Sequence, residues 1–176
     1  MLIFLVKMVL FGIKMLMITT LDQHFMRLAI QKTREGIESG QTPFGACLVS
    51  SDERVTALAH NNVWEKLDIT AHGEVETIRM ACISVGSIDL TGSTIYSTTE
   101  PCPMCFSAIH WARISRIVYG ASIADAQAAG FNELAISSDI MKREGKTEVI
   151  IEGGCLAAEC AGLFREWQQR GLARRY

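Results

Sequence analysis

Thr70-Ala71-His72-Gly73-Glu74 and Thr99-Glu100-Pro101-Cys102-Pro103-Met104-Cys105 are the two stretches whose joint reading decides this chain. The first cysteine follows the histidine by 30 positions. Alone, Cys102-x-x-Cys105 is also the spacing of a thioredoxin-like redox pair, and His72-x-Glu74 alone says less still. Together they offer one imidazole and two thiolates, three protein ligands for tetrahedral zinc with a fourth position left open. A purely structural zinc would need a closing ligand. His60 and His110 are the candidates, and each reads better as an ordinary surface or core histidine. Both ligand groups fall where a helix is predicted to begin, and the N–H groups and positive dipole end there favour thiolate over thiol. Glu74 follows His72 by two residues in the same turn, placed to move a proton without binding the metal.

Working outward, the apolar spacing predicts a helix over Leu21 to Ser39, with Met26, Ile30, Thr33 and Ile37 on one stripe beside Phe25, Leu28 and Ala29. Asp22 is its expected N-cap and Gly40 its stop. Ala46 to Ser50 and Val55 to Ala59 read as strands joined by Ser51-Asp52-Glu53. A loop with Asn61 and Asn62 leads to a helix over Gly73 to Val85, expected to bury Val75, Ile78, Cys82 and Val85. A third strand spans Thr94 to Thr99's neighbour Thr98. The next helix starts at Cys102 with Met104, Ala108, Trp111 and Ala112 inward. Ile117 to Gly120 and Glu148 to Glu152 are further strands, and Leu156 to Gln169 a last helix with Leu156, Cys160, Leu163, Phe164 and Trp167 on its stripe. Ala121 to Lys146 has weak periodicity and reads as a short helix plus a mobile flap. This order predicts an α/β fold: a mixed five-stranded sheet flanked by helices on both faces.

The length, 176 residues, suits one domain, and 49% hydrophobic with 20% charged residues provides for a sizeable core. A net charge of −2 argues against broad contact with a nucleic-acid backbone. The one basic cluster, Arg165, Arg170, Arg174 and Arg175 around Glu166, reads as a solvated helix end. Of six cysteines, Cys47, Cys82, Cys155 and Cys160 lie in apolar periodic segments and read as reduced core residues, pointing to the cytoplasm. Residues 1–18 are an apolar N-terminal extension interrupted by Lys7 and Lys14. Three readings stay open: a natural start at Met15 or Met17 with upstream sequence read through, a packed extra element, or a membrane anchor. The rest, 19–176, is the catalytic domain, and no membrane association is expected of it.

From Leu21 to Gln169 the chain resembles the cytidine and deoxycytidylate deaminase superfamily, whose pattern of H-x-E then P-C-x-x-C it carries. Within it, Pro43-Phe44-Gly45-Ala46, Asn61-Asn62-Val63, Ala108-Ile109-His110-Trp111-Ala112-Arg113 and Asp125 to Glu133 resemble bacterial guanine deaminases. The resemblance implies the three-layer deaminase fold, Zn2+ on His72, Cys102 and Cys105, and Glu74 as the proton carrier. It further implies that Asn61 hydrogen-bonds the base and that the Gly73 N–H contacts the ring. The Pro101 carbonyl would receive the departing amine, Trp111 with Phe44 would wall the purine pocket, and Glu133 would be a second proton shuttle from the flap. The bland rivals are a core position for Trp111, a strand opening for Phe44, a turn for Asn61 and a polar flap for Glu133. Two features depart from the guanine branch. Gly73 stands where alanine is usual, and Glu152 to Ala161 looks more like the tRNA adenosine deaminases. The expected function is therefore a cytoplasmic, homodimeric deaminase of a small-molecule nucleobase or related heterocycle, guanine first. The alternatives are a tRNA wobble-adenosine deaminase, a deaminase of cytosine, isocytosine or triazines, and a noncatalytic zinc-stabilised interaction module.

Overall fold

The computed structural model describes residues 18–171, so most of the N-terminal extension and Arg174 and Arg175 lie outside the described residues. Helix α1 covers Thr20–Glu38, β1 Gly45–Val49, β2 Val55–His60, α2 Val63–Lys66 and α3 Gly73–Val85. Then come β3 Thr94–Thr99, α4 Pro103–Trp111, β4 Arg116–Ala121, α5 Ile123–Ala128, α6 Ser138–Gly145, β5 Ile150–Glu152 and α7 Ala157–Gln169. The five strands form one sheet in the order β2-β1-β3-β4-β5. β1 is antiparallel to both β2 and β3, whereas β3, β4 and β5 run parallel. This is the mixed sheet expected from the element order.

Strand alternation divides the core in two, because successive side chains point to opposite faces. Cys47, Val49, Tyr96 and Val118 face α1 and α7, where Met26, Ile30, Leu163, Phe164 and Trp167 are buried. Ala46, Leu48, Ile95 and Ile117 face the other way, onto Ala81 of α3 and Phe106 and Ile109 of α4. Cys47, Cys155 and Cys160 are buried thiols and Cys82 a partly buried one, all four free.

Several local expectations are corrected. Asp22 is not the N-cap of α1: Thr19 is, and Asp22 sits at N3, closing a capping box with it. The segment 121–146 holds two helices, α5 and α6, each opened by a serine whose hydroxyl accepts from the N3 N–H. The residues that helix α3 buries are Gly73, Glu74, Glu76, Thr77 and Ala81, while Ile78 and Cys82 of the expected stripe pack, partly covered, against the core. Val85 is half exposed, and Val75, Ile78 and Cys82 are only partly covered. The cause is a close backbone approach. A Cβ added at Gly73 would lie 2.8 Å from Gly45 Cα, a contact no alanine there could make unstrained. The glycine lets α3 settle against β1 on its small residues. On α4 the inward residues are Cys105, Phe106, Ile109 and Ala112. Met104 and Ala108 are at the margin, and Trp111 points to solvent.

Candidate metal centre and active site

The site forms at the C-terminal end of β3, where the chain leaves the sheet and enters α4. Cys102 is the N-cap of α4 in extended backbone, with Pro103 in the first turn, where a missing N–H costs nothing. His72 is likewise the N-cap of α3, and neither side chain caps its own helix. Both point across the gap between the two helix ends. Cys105, one turn into α4, is buried beneath them.

His72 Nδ1 lies 3.7 Å from Cys102 Sγ and 3.6 Å from Cys105 Sγ. Zinc bonds of about 2.3 Å to sulfur and 2.0–2.1 Å to nitrogen, at a tetrahedral angle, imply an N···S edge of about 3.6 Å. The donor set fits zinc in both chemistry and spacing. Among the described residues this is the group whose ligand atoms come within 4.8 Å of one another. A hydrogen bond with Cys105 holds the Cys102 sulfur down at about 4, against the opposing effect of burial and with help from His72. The same contact, with burial, pushes the Cys105 thiol up.

Glu74 lies beside the ligands and is only 6% exposed. Its Oε1 accepts from the Ser97 hydroxyl at 2.9 Å, and its Oε2 from the Cys105 thiol at 3.4 Å. Burial, reinforced by the charge on Cys102, raises its pKa above the ordinary glutamate value. A buried carboxyl that is held in place and costly to ionise suits a proton carrier.

The flap delivers Glu133 to the same place. A narrow recess of about 10 Å³, room for about one water, is lined by Phe44, His72, Glu74, Thr99, Glu100, Cys102 and Glu133. A wider cavity of about 290 Å³ shares His72, Cys102 and Glu133 and is walled by Ile69, Pro103, Met104, Asn132 and Leu134. Burial first, then the Cys102 charge, pushes the Glu133 carboxyl up to about 7.

The remaining expected residues divide. Gly73 opens α3 next to His72, and Pro101 is buried one residue before Cys102, its carbonyl 3.4 Å from the Ser138 hydroxyl. Asn61 is fully buried at the end of β2, and its Oδ1 accepts from Val63 N at 3.0 Å, the turn-forming use of that side chain. Phe44 lines the recess, but its ring partners are Phe131 and Phe164, not Trp111. Trp111 is 79% exposed and borders a separate groove with Phe106, His110 and Met141. The expected Phe44–Trp111 wall does not form within the chain, because Trp111 falls on the outer side of α4. Sequence reading missed Ser97 and Glu100. Ser97 was signalled by strand alternation, which puts it on the same face as Ile95. Glu100 was signalled by an acid two residues before a ligand cysteine.

Residues 19–121 match the model of the cytidine and deoxycytidylate deaminase zinc-binding region. The chain is 48% identical over 98 residues to the tRNA-specific adenosine deaminase of Agrobacterium fabrum, spanning 56% of this chain and 64% of that protein, slightly under two thirds. It is 41% identical over 119 residues to the guanine deaminase of Bacillus subtilis, 67% of this chain and 76% of that one. A solved structure from work on A-to-I editing by tRNA:A34 deaminases superposes with a TM-score of 0.70 at 36% identity. The superposition covers 80% of this chain and 98% of that one.

Proposed function

The chain belongs to the cytidine and deoxycytidylate deaminase family, and from that premise we propose that it hydrolyses the exocyclic amine of a free nucleobase, guanine first, releasing ammonia. Zinc, when bound, supplies a water acidified enough to act as a nucleophile near neutral pH. His72, Cys102 and Cys105 would hold the metal, and Glu74, fixed by Ser97, would carry a proton from the attacking water to the ring nitrogen beside the reacting carbon. The Gly73 N–H orients the ring, Asn61 hydrogen-bonds the base, and the Pro101 carbonyl receives the departing amine. Glu133 carries the second proton. Water and amine become carbonyl and ammonia, with no net proton change at the protein.

The observation that carries the guanine reading is Glu133. Glu133 lines both the recess and the wider cavity, a position from which an acid on the flap would reach a small base held beside His72 and Cys102. The second reading, a tRNA wobble-adenosine deaminase, is favoured by the similarity to enzymes of that name and by the Glu152 to Ala161 string. An ammonia-release assay over guanine, adenine, cytosine, isocytosine and a tRNA anticodon stem-loop, repeated across salt, separates the two. Free-base turnover should vary little with salt, whereas stem-loop binding should fall steeply through counterion release. Turnover of the stem-loop alone would overturn the guanine reading.

We further propose a homodimer and a cytoplasmic location. Ile83 (83% exposed) and Ile88 (82%), with Met80 close to Ile83 on the helix, are exposed apolar side chains on and just beyond α3, and exposed apolar surface is what a subunit contact would cover. The free thiols suit a reducing compartment. Sedimentation giving a monomer at micromolar concentration would remove the dimer. No helix of the described residues is long and apolar enough to cross a membrane.

A further inference from the structure

The flap, taken from the start of α5 to the start of α6, must be held over the metal pocket for Glu133 to serve there, and several of the holding contacts converge on one side chain. Glu100 is 8% exposed and lies two residues before Cys102. Its Oε1 accepts from Ser138 N at 2.8 Å and its Oε2 from Ile123 N at 3.4 Å. Ile123 opens α5 and Ser138 opens α6. One carboxyl thus grips the two ends of the flap, 15 residues apart in sequence. Ser138, itself fully buried, adds a hydroxyl contact of 3.4 Å to the Pro101 carbonyl, and Glu100 N donates to Ala121 O at 2.8 Å.

Between these grips the near limb of the flap is anchored as well, Gln168 Nε2 donating to the Ala129 carbonyl at 3.4 Å. Phe131 packs against Phe44 with ring centroids 4.8 Å apart and against Trp167 at 5.1 Å. Gln127 Nε2 donates to the Glu133 carbonyl at 3.1 Å. Leu134, Ala135 and Ile136 are exposed, so packing does not fix the far limb. That limb depends on Ser138, hence on Glu100. No ion pair to Glu100 occurs among the described residues; its carboxyl is met by backbone N–H groups, which are rigid, directional donors.

We infer that Glu100 is a positioning residue, the clamp that ties both ends of the flap to the metal loop and sets where Glu133 stands relative to His72, Cys102 and Glu74. The kinetic part of this inference rests on the proposed proton-transfer role of Glu133. The mechanical part does not.

The test is a double-mutant cycle on the zinc-loaded full chain, with guanine, or with the stem-loop if that is what turns over. Glu100→Gln keeps the side-chain volume and one acceptor but turns an NH2 toward one backbone donor. It should lower kcat about tenfold with KM within about threefold and zinc content unchanged, because a misplaced proton carrier acts in the transition state. In a Glu133→Gln background the same change should have almost no further effect, as expected for two residues acting as one unit. Glu100→Asp, which keeps the charge, should recover part of the loss. Fully multiplicative losses, or loss of zinc along with activity, overturn the inference. Hydrogen exchange read by mass spectrometry supplies a second measure independent of chemistry. Glu100→Gln should speed exchange at residues 129–138 and leave α1 and α7 unchanged. If Glu133→Gln is silent, the proton-transfer reading fails, and the exchange result alone decides the clamp. Unchanged exchange would end it.

Discussion

Two buried polar clusters stand at opposite ends of the parallel strands, and they treat their carboxyl groups in opposite ways. At the start of β4, Arg116 donates to Asp22 at 2.6 and 3.1 Å and to Glu152, while Tyr96 O–H donates to Asp22 at 2.8 Å. Burial alone would raise the Asp22 carboxyl, but the bonds from Arg116, Thr19 and Tyr96 more than reverse it and leave it well below the usual range. At the end of β3, Glu74 and Glu133 face thiols and each other with no lysine or arginine among the lining residues, and both are pushed up. The first cluster spends its carboxylates on holding α1 to the sheet. The second keeps them protonatable. Opposed shifts of this kind separate a structural ion pair from an acid-base site.

The sharpest way to break the contrast is Glu74→Gln. The amide keeps the shape and the Ser97 contact but cannot carry a proton. We expect kcat to fall at least about 10²–10⁴-fold, the usual worth of a positioned acid or base, with about one zinc per chain retained by metal analysis. Residual activity within tenfold of the wild type would place the proton path elsewhere.

The other cluster answers to stability. Asp22→Asn removes one charge from a buried pair and should cost about 3 kcal/mol in urea unfolding at pH 7, at the low end for such changes because Arg116 keeps Glu152. The sign with pH follows from the direction of the shift. A carboxyl lowered in the folded state contributes stability that is fully present above its unfolded pKa of about 3.9. That contribution is lost as pH falls below it. The gap between variant and wild type should therefore shrink between pH 5 and pH 3. A gap that stays constant would mean Asp22 stabilises by shape alone.

The same contrast explains what could be read in the sequence. The metal centre was legible because its parts are local: a histidine and an acid in one turn, two cysteines in another, each at a helix start. The Asp22–Arg116–Glu152 cluster was not, since its partners lie 94 and 36 positions apart and no periodicity links them. The partners of Glu100 were hidden for the same reason, spanning 23 and 38 positions, although an acid two residues before a ligand cysteine marked the residue itself. The strand positions and the mixed five-stranded sheet were legible from the order of the elements, and the order of strands within the sheet was not. Nor were the inward faces of α3 and α4, because each helix carries two stripes that pass for apolar. Only the Gly45–Gly73 approach, a tertiary fact, chooses the small-residue stripe of α3.

That approach gives the next smaller effect. Gly73→Ala would place a methyl 2.8 Å from Gly45 Cα and 3.2 Å from Gly45 N, both backbone atoms that yield only by moving a strand or the helix end. We expect a loss of about 1–3 kcal/mol, as for overpacking, read as a lower melting temperature. A drop in kcat should accompany it, since His72 and Glu74 flank the residue. An alanine variant as stable and active as the wild type would show that α3 can stand off from β1, and the glycine would then carry no constraint at the site.

The smallest expected effect is at Trp111, and it tests which residues truly wall the pocket. The family resemblance assigns it to the purine wall with Phe44. Its position at the end of α4, largely exposed and beside Met141 instead of Phe44, assigns it to the surface. Phe44 and Trp111 therefore make opposite predictions. Phe44 is buried between Phe131 and Phe164 and lines the recess. Phe44→Leu should thus disturb both the flap anchor and the substrate, raising KM and weakening the fold together. Trp111→Ala should leave kcat and KM within about threefold of the wild type, because an exposed side chain loses little burial on truncation. Any larger effect should depend on protein concentration if the tryptophan borders the proposed subunit contact, which assays at nanomolar and micromolar enzyme separate. A large, concentration-independent rise in KM would mean that Trp111 reaches the base after all, through a movement of α4 toward the cavity walled by Met104 and Leu134.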